Sequence, residues 1–65
     1  MTIRQYLDLF VDDSRLKVII FNLNEGNDVF EGYGDEIPYD LEDKDVVSLD
    51  ITSFPGGIAI NIESE

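Results

Sequence analysis

At 65 residues the chain has room for one domain, 1–65, and one core, close to the lower limit for a sequence that folds unaided, and with no cysteine it has no disulfide to support it. A hydrophobic content of 43% argues for a folded chain even though 15 acidic residues face 4 basic ones, a net charge of −11. That balance excludes direct binding to nucleic acid or to an anionic membrane, because both depend on Lys and Arg set against phosphates.

Thr2 is placed to cap a helix, and Gln5, three residues on, is the return partner of a capping box. Ile3, Tyr6, Leu7 and Phe10 recur at i, i+3, i+4 and i+7, which predicts a short amphipathic helix with one apolar stripe. The run from Ile3 to Val11 is broken by Arg4, Gln5 and Asp8, so it reads neither as a leader nor as a membrane span, and the chain is expected in the cytoplasm. Asp12, Asp13 and Ser14 end the stripe with turn-forming side chains.

The next stretch, 15–22, is predicted as a strand with Leu16, Val18 and Ile20 on one side and Lys17, Ile19 and Phe21 on the other. Apolar residues on both sides place it inside its sheet. Residues 24–27 are the expected hairpin tip and 28–33 the return strand, where Gly32 and Gly34 mark an edge, a bulge or a close approach by another group. From 35 to 45 the chain reads DEIPYDLEDKD, a loop or a single 3₁₀ turn in which Pro38 holds Ile37 extended and Ile37, Tyr39 and Leu41 are the anchors.

Strand character resumes over 45–52, with Val47, Leu49 and Ile51 inward and Val46, Ser48 and Asp50 outward. The SFPGG run at 53–57 predicts a turn, after which Ile58, Ile60 and Ile62 alternate with Ala59, Asn61 and Glu63 in a last strand. The expected fold is α+β, one N-terminal helix packed on a four-stranded antiparallel sheet made of two hairpins. The order 2-1-4-3 is preferred to a simple meander because it keeps the doubly apolar strand central.

The absence of histidine and cysteine removes the usual general bases, thiol nucleophiles and soft metal ligands. The carboxylate pairs Asp35 with Glu36 and Asp43 with Asp45 lie in a loop without the apolar pocket that would split their pKa values into acid and base roles, so no catalytic residue is assigned and the chain is read as a non-enzyme. No window fits a calcium loop, since around Asp40 the third ligand position is Lys44 and no glycine follows it. Gly32 and Gly34 form a Gly-x-Gly, but Asp35 and Glu36 stand where a phosphate would sit. No metal or cofactor is therefore expected.

Between Glu25 and Asp50 ten acidic residues face Lys44 alone, a net charge of −9. Those of them borne on strands, two apart, are expected to project on the same side roughly 6.6 Å from one another, a rod of negative charge. This points to a partner protein with a basic, nucleic-acid-binding surface, reached by fast and salt-sensitive association, with Asp35, Glu36, Asp40, Glu42, Asp43 and Asp45 as the contacting residues. The alternative is a structural or regulatory module that binds a partner, or forms a homodimer, through the open sheet face of Ile19, Phe21, Val46 and Ala59, unless Ile37, Tyr39 and Leu41 fold back over that face.

The runs TIRQYLDLF from Thr2, KVIIFN, VFEGYGDEIP and DVVSLDI resemble short acidic proteins of phages and mobile elements of Firmicutes, with Phe30-Glu31-Gly32-Tyr33, Ile37-Pro38 and Val46-Val47-Ser48 the most specific parts. The helix-then-hairpin order and the acid loading also resemble small phage anti-CRISPR proteins that block a CRISPR nuclease at its DNA-reading surface. That second resemblance implies an inhibitor that mimics DNA and carries over no catalytic residue.

Overall fold

Thr2 and Gln5 satisfy each other across the first helical turn. The Thr2 hydroxyl accepts from the Gln5 N–H at 3.2 Å, and Gln5 Oε1 accepts from the Thr2 N–H at 2.9 Å. The helix they open, α1 (Ile3–Leu7), is shorter than the apolar spacing predicts. Beyond it the Leu9 and Phe10 N–H groups donate to the Tyr6 and Leu7 carbonyls, a tightening at three-residue spacing that ends the helix. Ile3 and Leu7 are fully buried, whereas Phe10 is 38% exposed. Its ring meets Tyr6 edge to face with centroids 5.5 Å apart.

The protein, as a computed structural model, is described over residues 1–51 and 56–64. Four strands, β1 (Lys17–Asn22), β2 (Asn27–Tyr33), β3 (Ser48–Ile51) and β4 (Gly57–Ile62), form one sheet in the order β2-β1-β4-β3. The expected strand order is the observed one, but the sheet is mixed and not wholly antiparallel: β1 pairs with β2 antiparallel and with β4 parallel, and β3 pairs with β4 antiparallel. The cause lies in residues 34–47. β2 finishes where β1 begins, since Tyr33 pairs with Lys17, while β3 begins beside Asn61, near the other end of the sheet. The connection must therefore travel the length of a six-residue strand, roughly 20 Å. A segment expected to be a loop is thus a crossover, and it contains a second helix, α2 (Tyr39–Glu42), behind the 3₁₀ turn Gly34–Glu36. Pro38, with φ −60°, starts α2, and its carbonyl accepts from the Leu41 and Glu42 N–H groups at 3.0 and 3.2 Å. The turn expected at 53–57 lies, over 53–55, outside the described residues, as does Thr52 at the end of the expected third strand.

In β1 and β4 the strand alternation divides the sheet as the sequence predicts, whereas on the edge strand β3 Leu49, expected inward, is 47% exposed. Val18, Ile20, Ile60 and Ile62 are buried in one cluster with Ile3, Leu7 and Ile37, and Tyr6, Leu16, Phe30, Leu41, Val46 and Ile58 pack against it. Two further expectations change. Ile37 and Leu41 belong to this core and do not cover the opposite face, and Tyr39 is 88% exposed. Val46, expected on the open face, packs against the core, while Val47 is half exposed. The reason is the N-terminus: Thr2 bridges Asp45 and the Val46 N–H donates to the Met1 carbonyl at 2.8 Å, so the chain is held under α1 before β3 begins.

The first hairpin closes through Gly26, at φ +72°, whose N–H donates to the Asn22 carbonyl at 2.8 Å. Opposite Ile20 and Phe21 the register slips so that Phe30 and Asp28 are the partners and Val29 is the extra residue of a bulge. Gly32 marks a close approach, because a Cβ there would lie 2.9 Å from the Phe30 ring. No helix among the described residues is long and apolar enough to cross a membrane.

Candidate partner-binding surfaces

The six carboxylates expected to meet a partner are set out along the crossover, and the structure separates them into two kinds. Three are tied to the fold. Glu36 Oε1 accepts from the Tyr33 N–H at 3.1 Å, Glu42 lies 3.6 Å from the Arg4 guanidinium, and Asp45 lies 4.0 Å from the N-terminal amine. Asp35, Asp40 and Asp43 are exposed and take part in none of these contacts. Asp40 lies in α2 and Asp43 caps its C-terminal end, so these two, three apart, are neighbours on one side of a helical turn, while Asp40 and Glu42 diverge.

Arg4 joins the helices electrostatically. Its Nε is 3.0 Å from Asp8, the C-cap of α1, and its Nη1 reaches Glu42 at the end of α2. The two helices meet because the Ile3 N–H donates to the Lys44 carbonyl at 2.9 Å. Half-exposed pairs of this kind contribute at most about 1 kcal/mol each, so their role is to decide which acids remain available.

On the side of the sheet opposite the core, register places Ile19 between Glu31 and Ala59, and Phe21 between Asp28 and Asn61. Ile19, Phe21 and Ala59 are partly buried. Asn61 Nδ2 donates to Ser48 Oγ at 3.0 Å on the same side. This face is a narrow apolar centre bordered by acids, and Val46 is not part of it.

Two features escaped the sequence pattern. Leu9 and Val11 are 70% and 107% exposed, making an apolar knuckle beside Phe10, because the helix stops one turn before the apolar spacing does. At the Asn22 end of the sheet, a groove of about 380 Å³ is lined by Val29, Pro38, Leu41 and Ile62 and by the charged Glu25, Asp40 and Lys44. Below it Asn22 is 3% exposed and its carboxamide makes three hydrogen bonds. Nδ2 donates to the Ser64 carbonyl at 2.9 Å, and Oδ1 accepts from the N–H groups of Asn24 and Ser64 at 3.0 and 3.2 Å. Nothing in the alternation of β1 distinguishes this residue, since its partner Ser64 is 42 positions away.

Among the described residues no group of three or more acidic, histidine or cysteine side chains gathers to hold a metal ion. No family model, curated protein or solved structure matches this chain.

Proposed function

We propose that this chain is a non-enzymatic protein-binding domain that occupies a basic, nucleic-acid-binding surface on a target protein, presenting carboxylates where phosphates would lie. The observation that supports it most directly is the sorting of acids on the crossover: Glu36, Glu42 and Asp45 make contacts within the chain, while Asp35, Asp40 and Asp43 are exposed and outside those contacts, in a chain of net charge −11. Projecting acids on a framework fixed by capping and core packing carry little reorganisation cost on binding, and the net charge steers encounter with a basic surface. In this reading α1 and the crossover share one side of the sheet, and the acids point away from it.

The test is affinity capture from a host lysate at low salt followed by competition with duplex DNA. DNA should displace the captured protein, and the triple variant Asp35→Asn, Asp40→Asn, Asp43→Asn should fail to hold it. A captured partner indifferent to DNA would overturn the reading.

A second reading rests on the partly buried Ile19 and Phe21 on the face away from the core. A partner or a second copy docked there would be lost on Phe21→Ser, in a variant whose circular dichroism matches the parent, and would be insensitive to the triple neutralisation.

A further inference from the structure

We infer that the groove at the Asn22 end receives an arginine side chain of the basic partner, its guanidinium between Glu25 and Asp40 and its methylenes along Val29, Leu41 and Ile62; this rests on the reading of the chain as a binder of a basic protein. The groove is open to solvent and mixes apolar side chains, Val29, Pro38, Leu41 and Ile62, with polar and charged ones from separate segments, a lining suited to an amphipathic side chain. Its 380 Å³ is near the lower end of the roughly 300–1,000 Å³ range of such sites, enough for one long side chain.

Charge selects the occupant. Two carboxylates and Lys44 leave the lining net negative, and the chain as a whole carries −11, so the complementary ligand is a cation. The apolar side chains among the lining call for a cation on a hydrocarbon stem, which a metal ion lacks. Glu25 comes from the hairpin turn and Asp40 from α2, and two carboxylates from separate segments suit a planar guanidinium with five donors in a fork better than a compact, strongly hydrated ammonium, which meets them as a point charge.

The backbone that carries the lining is held in place before any ligand arrives. The Asn22 carboxamide fixes Ser64 and Asn24, the Gly26 N–H closes the hairpin on Asn22, and the Pro38 carbonyl anchors the first turn of α2. Preorganisation of this kind lowers the ordering cost of binding.

The experiment is an amide NMR titration of the intact chain with n-butylguanidinium, with n-butylammonium and tert-butanol as comparators. Saturable shifts confined to Glu25, Val29, Leu41, Ile62 and their neighbours are expected, with n-butylguanidinium binding at least threefold more tightly than n-butylammonium. The double variant Glu25→Gln, Asp40→Asn should weaken it at least fivefold while its spectrum keeps the dispersion of the parent. Non-saturating shifts spread over acidic residues everywhere, equal or tighter binding of n-butylammonium, or an unaffected double variant would each overturn the assignment. The titration needs no partner, so its failure is distinct from a failure of DNA to displace a captured protein.

Discussion

Asn22→Ala removes the side chain that joins the end of β1 to the C-terminal segment. Asn22 ends the central strand at 3% exposure, and its carboxamide makes three hydrogen bonds, two to Ser64 and one to Asn24. Alanine leaves the Ser64 N–H and carbonyl and the Asn24 N–H to find other partners. At about 1 kcal/mol net for each bond, the loss is about 2–3 kcal/mol. A domain of this size shifts in Tm by about 4–8 °C per kcal/mol, so the expected drop is about 10–20 °C. Asn22→Asp keeps the acceptor, loses the donor to the Ser64 carbonyl and introduces a charge at the buried site, so it should be at least as damaging. The assay is a thermal melt followed by far-ultraviolet circular dichroism at fixed ionic strength. A Tm for Asn22→Ala within about 3 °C of the parent, under 1 kcal/mol, would show that the strand end and the C-terminal segment are not joined through this side chain.

Ile20→Asp should abolish the cooperative melt, because it buries an unpaired charge at a fully buried position of the central strand; a transition near that of the parent would refute the core assignment. The double variant Leu9→Ser, Val11→Ser should change stability by no more than about 0.5 kcal/mol in urea unfolding, since both side chains already lie in solvent, and a larger loss would mean that the knuckle packs inward. Sodium chloride should raise the Tm by screening the repulsion behind a net charge of −11, and a melt indifferent to salt would show that the carboxylates do not strain the fold.

Much of this architecture is legible in local patterns. The alternation of Val18, Ile20, Ile60 and Ile62 defines the inner side of the sheet, and the apolar residues on both sides of β1 place it next to two neighbours. Thr2 and Gln5 announce their capping box because all its parts lie within four residues. The parallel pairing of β1 with β4 is not legible, since the direction of the inner strands depends on how residues 34–47 cross the sheet, and a four-residue helix such as α2 is too short to show a period. Phe10 satisfies the i+7 position of a helix that has already ended. Val46 and Val47 exchange roles because of a bridge between Thr2 and Asp45, 43 residues apart, that no local pattern records. The acidic surface was foreseeable from composition, but the separation of Glu42 and Asp45 from Asp40 and Asp43 required knowing that the start of α1 meets the end of α2. Asn22 and the groove above it depend on the C-terminal segment returning to the first hairpin, again a contact of long sequence separation.

The central claim, that the projecting acids of the crossover engage a basic surface, is tested most directly by the association rate of the parent and of the Asp35→Asn, Asp40→Asn, Asp43→Asn variant with the DNA-displaceable partner, measured at two salt concentrations. Charge steering resides in association, while short-range packing sets dissociation. The variant should associate more slowly at low salt, added salt should slow the parent far more than the variant, and dissociation should change less. An association rate unchanged by the triple neutralisation, in a variant that melts like the parent, would contradict the claim.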